Sequence, residues 1–107
     1  MNGIELVRLD STVLIWIDGV LESSRAPALQ QLLTSVFTDR SVRTVVIDMA
    51  NVLGIDDCAI AALAAGVAQL GGRRGPIQLL LPRGFRATAG DAVTLRLVLE
   101  QLYPGTD

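Results

Sequence analysis

Apolar residues fall along this chain in two spacings, every second residue and every third or fourth. Residues 4–9 alternate imperfectly: Ile4, Leu6 and Arg8 share one face, and Glu5, Val7 and Leu9 the other. That predicts a strand with no cleanly apolar side. Asp10-Ser11 reads as a tight turn into residues 12–18, which are rich in β-branched and aromatic residues and end at Gly19. Together they predict a hairpin. Residues 24–38 then carry Leu29, Leu32, Leu33, Val36 and Phe37 at helical spacing, with Ser23 or Ser24 as cap and Pro27 in the first turn.

Residues 44–49 are apolar on both faces, as in a central parallel strand covered by helices. A loop is expected over 50–56, then a helix from Asp57 to Leu70. Ile60, Leu63, Ala64, Val67 and Leu70 form its stripe, while alanines and Gly66 keep it thin enough to lie close to a sheet. Gly71-Gly72 stops it, and 77–81 is a further strand ended by Pro82. Residues 83–90 read as a short helix or a loop closed by Gly90. Residues 92–103 fit both periods, but their length favours a helix with Asp91 as cap and Pro104-Gly105 as stop. The order strand, helix, strand, helix, strand between residues 12 and 81 predicts an α/β sheet with parallel crossovers.

At 107 residues, half of them apolar, the chain suits a single domain spanning 1–107 with its own core. A net charge of −2 argues against a generally basic nucleic-acid binder. With no histidine and one cysteine, Cys58, neither a His-dependent triad, nor a zinc site of His and Cys, nor an intrachain disulfide can form. No apolar run approaches the roughly 20 residues of a membrane-spanning helix, and the first residues do not read as a signal peptide. A cytoplasmic protein is expected.

Two places could carry chemistry. One is Gly19-Val20-Leu21-Glu22-Ser23-Ser24, and the other Gly54-Ile55-Asp56-Asp57-Cys58-Ala59. In an open parallel sheet both lie at the carboxyl ends of strands, where ligands and partners are usually met. Asp56 or Asp57 suits helix capping. Cys58 reads as a small apolar residue in the first turn, since adjacent carboxylates oppose a thiolate. Asp48, Asp56 and Asp57 could hold Mg²⁺, but no phosphate cradle accompanies them: Gly71-Gly72-Arg73-Arg74-Gly75 follows a helix instead of preceding one. Its reading is a C-cap and turn. Arg73, Arg74, Arg83 and Arg86 read as a solvated face.

A resemblance rests on these segments. Val45-Val46-Ile47-Asp48, the loop to Gly54-Ile55-Asp56-Asp57-Cys58-Ala59, the alanine-rich stretch to Leu70, Gly71-Gly72 and the strand to Pro82 resemble the core of the STAS domain family of anti-sigma factor antagonists. Upstream, Ile15-Trp16-Ile17-Asp18-Gly19-Val20-Leu21-Glu22 is similar to the family's strand followed by Gly-Glu-Leu-Asp, with Glu22 on an acidic position. The family's Asp-Ser-Ser-Gly is here Asp56-Asp57-Cys58-Ala59. Asp57 therefore stands at the position of the family's phosphoserine, and neither it nor Cys58 offers a hydroxyl to a serine kinase. After Pro82 the match is poor, and one of the family's last elements (short helix, strand, C-terminal helix) is expected to be merged or missing.

The resemblance implies an α/β, STAS-like fold: a small mixed sheet with strands near 4–9, 12–18, 44–49 and 77–81 and helices packed on one side. It implies a non-catalytic protein-binding module of a bacterial partner-switching system, an anti-sigma factor antagonist-like regulator of transcription. The implied partner is an anti-sigma factor and serine kinase of the ATPase-like type, with no cofactor, no nucleic acid and no direct membrane insertion. Homodimerisation is left open. The implied binding surface is Gly19, Glu22, Ser23, Asp56, Asp57 and Cys58. Two alternatives stand beside it: a STAS sensor, scaffold or transport-associated subunit unrelated to sigma control, and a small-molecule or nucleotide-binding domain using Asp48, Asp56 and Cys58.

Overall fold

The computed structural model describes residues 3–70, 77–89 and 92–103. Five strands form one sheet in the order β1-β2-β3-β4-β5. They are β1 (Gly3–Leu9), β2 (Thr12–Leu21), β3 (Thr44–Ile55), β4 (Ile77–Leu80) and β5 (Arg86–Ala89). The helices are α1 (Ala26–Thr38), α2 (Asp57–Leu70) and α3 (Ala92–Leu102). β2, β3 and β4 are parallel, and β1 and β5 pair antiparallel at the two edges. This is the mixed sheet with helices on one side that the resemblance implied, and it contains the parallel crossovers that the residue pattern predicted.

The hairpin turns at Asp10, whose φ of 54° is the left-handed region a short polar side chain tolerates. The imperfect alternation of β1 is resolved by its neighbours. Ile4 packs on the core, while Arg8, on the same face, reaches past α1 to Asp39 at 2.5 Å and to the Ser41 hydroxyl. Hydrogen bonds from Ser41 and the Arg8 guanidinium hold the Asp39 carboxyl well below the usual carboxylate range.

The core lies between sheet and helices. Val13, Ile15 and Ile17 of β2, Val45, Ile47 and Met49 of β3, and Ile77 and Leu79 of β4 point into it. They meet Leu29, Leu33, Val36 and Phe37 of α1, Ala59, Ile60 and Leu63 of α2, and Leu95 and Leu99 of α3. The side chains of Val67 and Leu70 lie outside the described residues. Among the described residues helices cover one face of β3, and Thr44, Val46 and Asp48 on the other face remain partly exposed although the segment is largely apolar on both sides. Gly66 serves helix packing: a Cβ there would fall 2.5 Å from Leu33 Cδ1 of α1.

The remaining differences have local causes. The expected loop over 50–56 is strand as far as Ile55, and β2 runs past Gly19 to Leu21. Two register shifts place one extra residue each in β3, opposite Trp16–Asp18 and Gly19–Val20. Such bulges break the alternation that marks a strand in sequence. Neither Ser23 nor Ser24 caps α1. A 3₁₀ turn, Ser23–Arg25, leads in, and Arg25 occupies the cap position without a side-chain cap bond. The short helix expected after the fourth strand is a 3₁₀ turn, Pro82–Gly84, and a strand that was not expected, β5, follows it. The short helix, last strand and C-terminal helix are thus all present. The roles expected for Gly71 to Pro76, Gly90, Asp91, Pro104 and Gly105 lie outside the described residues.

Candidate functional site

β2 and β3 end together, with Leu21 beside Ile55 and both buried. The Asp56 N–H donates to the Leu21 carbonyl at 3.1 Å, which extends the ladder by one bond. The chain then diverges, into the 3₁₀ turn before α1 on one side and into α2 on the other.

Asp56 joins the two. Its Oδ1 accepts the Ala59 N–H at 2.9 Å, and its backbone carbonyl accepts the Ile60 N–H at 3.0 Å. That is the geometry of an N-cap, which satisfies one of the free amide donors at a helix start. Its Oδ2 accepts the Ser23 N–H at 2.5 Å, across 33 residues of sequence. One carboxylate therefore fixes both segments singled out in the sequence, and its charge faces the positive end of the α2 dipole.

The side chains around this junction are exposed. Glu22 and Ser23 stand on one side and Asp57 and Cys58 on the other. Gly19 lies further back in β2, paired with Val52, and its φ of 79° suits glycine at a bulge. Sequence reasoning missed Arg25. Its guanidinium donates to the Val20 carbonyl at 2.9 Å and the Asp18 carbonyl at 3.4 Å, clamping the start of α1 to the end of β2. Nothing in the local sequence marks that role, because it depends on the chain doubling back.

Asp48 stands apart: its Oδ1 accepts the Ala50 N–H at 3.0 Å, and among the described residues no three His, Cys, Asp or Glu side chains gather as metal ligands. Among the described residues, one depression elsewhere runs along α1 at Pro27, Gln30, Gln31 and Ser35, and another lies between Leu53, Arg83 and Tyr103. Arg83 and Arg86 are exposed, while Arg73 and Arg74 lie outside the described residues. Among the described residues no helix is long and apolar enough to cross a membrane.

This geometry, a mixed sheet with two loops clamped at the start of α2, defines the class. The family model described as "Mlab, STAS domain" matches residues 4–98, and the chain belongs to the STAS domain family. Its fold is similar to an anti-sigma factor antagonist from Mycobacterium paratuberculosis (22% identity, TM-score 0.68, 97% of this chain and 84% of that one). It is also similar to the anti-sigma factor antagonist SpoIIAA in its unphosphorylated form (15% identity, TM-score 0.64, 98% and 88%). A third similar structure is Mglu, at 27% identity and a TM-score of 0.59 over 72% of this chain, which spans 18% of Mglu's length. No curated protein matches.

Proposed function

We propose that the protein is a non-catalytic binding module of a partner-switching system, an anti-sigma factor antagonist-like regulator. Its partner surface is the start of α2 with the adjoining turn: Glu22, Ser23, Asp56, Asp57 and Cys58, backed by Gly19. The partner is an anti-sigma factor with an ATPase-like serine kinase fold. One observation carries this reading. The Asp56 carboxylate binds the Ser23 and Ala59 amides at once, so two distant segments present one exposed surface in fixed relation. A preorganised surface loses less conformational freedom on association.

Asp57, exposed at the start of α2, brings a carboxylate to that surface. It carries one negative charge where a phosphoserine carries about 1.5–2. A second reading, a STAS subunit outside sigma control, draws support from the same residues: neither Asp57 nor Cys58 has a hydroxyl to phosphorylate.

Capture from native lysate, followed by calorimetry with the captured partner, tests both. Asp57→Arg weakens binding strongly, whereas Arg96→Ala, at an exposed position of α3, leaves it within about twofold, the range expected of a remote surface site. Asp57→Ser separates contact from brake: weaker binding makes the aspartate a contact, and tighter binding makes it a built-in brake. A captured kinase-type ATPase supports sigma control, and a membrane transport complex supports the second reading. Affinities of both Asp57 variants equal to wild type, with melting unchanged, would refute this surface.

A further inference from the structure

The face of the sheet turned away from the helices carries no element among the described residues, and strand register fixes what it displays. Glu5, Trp16, Asp48, Leu80 and Arg86 lie side by side across all five strands. Val7, Leu14, Val46, Gln78 and Thr88 form the next row. Val7 is 42% and Leu9 67% exposed, and Leu14, Trp16, Val46 and Leu80 are each partly open. The first row ends in opposite charges, Glu5 on β1 and Arg86 on β5. Neither side chain has a hydrogen bond or ion pair among the described residues.

We infer that this face packs against the same face of a second copy of the chain, forming a two-sheet sandwich about a twofold axis parallel to the strands. Charge selects the axis. A twofold along the strands lays β1 over the partner's β5, so Glu5 meets Arg86 at both ends, Trp16 meets Leu80 and Val46 meets Val46. A twofold across the strands would lay β1 on β1, placing Glu5 beside Glu5 and Arg86 beside Arg86. Either axis keeps the strands of the two sheets aligned within about 30°, as sheets ordinarily stack, so the charges make the choice. At about 4.8 Å per strand and 3.3 Å per residue the face measures roughly 20 by 20 Å. Two such faces bury on the order of 1,000 Å², the lower end of specific interfaces and the size of a weak, reversible dimer. The two Asp48 carboxylates approach near the axis and oppose association. The surface at α2 lies beyond the carboxyl ends of β2 and β3 and is not needed for this contact.

Sedimentation of the whole chain over a concentration series tests the inference. The 11.4 kDa species converts towards twice its mass as concentration rises. The emission of Trp16, the single tryptophan, moves to the blue in parallel as its ring leaves water. Glu5→Arg and Arg86→Glu each weaken the dimer about tenfold, since each turns two attractions into repulsions. The double variant returns to within about threefold of wild type, because the swapped charges pair again. Asp48→Asn tightens it. All three sites are on the solvent side, so circular dichroism confirms that the variants fold. A monomer at every concentration up to the millimolar range overturns the inference, as does a dimer indifferent to both charge reversals.

Discussion

Removing the Asp56 carboxylate tests the junction directly. Asp56→Ala deletes the N-cap bond to Ala59, which costs about 1 kcal/mol in comparable helices. It also deletes the charge-assisted bond to the Ser23 amide. Because Ser23 is exposed, water replaces part of that bond, and about 1 kcal/mol is a fitting share. The sum, about 2 kcal/mol, is a large part of the roughly 5–15 kcal/mol that holds a typical domain together. It lowers the melting temperature by about 10 °C for a chain of this length. Asp56→Asn gives the graded control. Its one amide oxygen serves only one of the two N–H groups, so it lies about midway. Urea unfolding with an unchanged m-value measures both variants. Hydrogen exchange at the Ser23 and Ala59 amides locates the effect, with both opening faster in Asp56→Ala. An unfolding free energy within about 0.3 kcal/mol of wild type, too small for any lost cap, would refute the reasoning.

Two further outcomes follow from packing and burial. Gly66→Ala destabilises by about 1–3 kcal/mol in the same urea assay, although alanine is the better helix former, because the new methyl collides with fully buried Leu33. Burial raises the pKa of Tyr103, the single tyrosine, to about 12, and its hydroxyl donates to the Val52 carbonyl at 3.0 Å. The native state thus favours the neutral phenol: its stabilisation is complete below the unfolded value of about 10 and is lost as pH rises through 12. Phenolate absorbance should titrate near 12 in the native protein and near 10 in urea.

The strand at 12–18 was legible from its β-branched and aromatic residues, the strand at 77–81 as a short apolar run between Pro76 and Pro82, and the alanine-rich helix from its helical spacing. Asp56 was legible as a cap candidate because an acidic residue opens an apolar helix. Its bond to Ser23 was not, since that contact depends on how β2 and β3 align. β5 escaped notice because Arg86-Ala87-Thr88-Ala89 has one turn of alternation and no large apolar side chain; its pairing with β4 makes it a strand. The serines before α1 satisfied a local capping pattern, but the backbone there folds into a 3₁₀ turn whose position Arg25 sets through the carbonyls of β2. In each case a contact distant in sequence overrode the local preference.

The bulges in β3 explain why the junction exists at all. One extra residue in a strand turns every later side chain to the opposite face, and a second turns it back. β3 contains two such residues opposite β2. Met49 before them, Val52 between them and Ile55 after them are all buried, as is Leu21 at the end of β2. The pair of bulges therefore advances β3 by two residues without taking its apolar side chains out of the core. That advance brings Ile55 level with Leu21 and puts Asp56 within reach of Ser23. The scaffold under the proposed partner surface is set by buried residues and backbone bonds, with Asp56 as its last link. Asp57, one position on and exposed, is left out of that scaffold. Its side chain can therefore change without disturbing the start of α2, which is consistent with an aspartate standing where the family resemblance puts a serine.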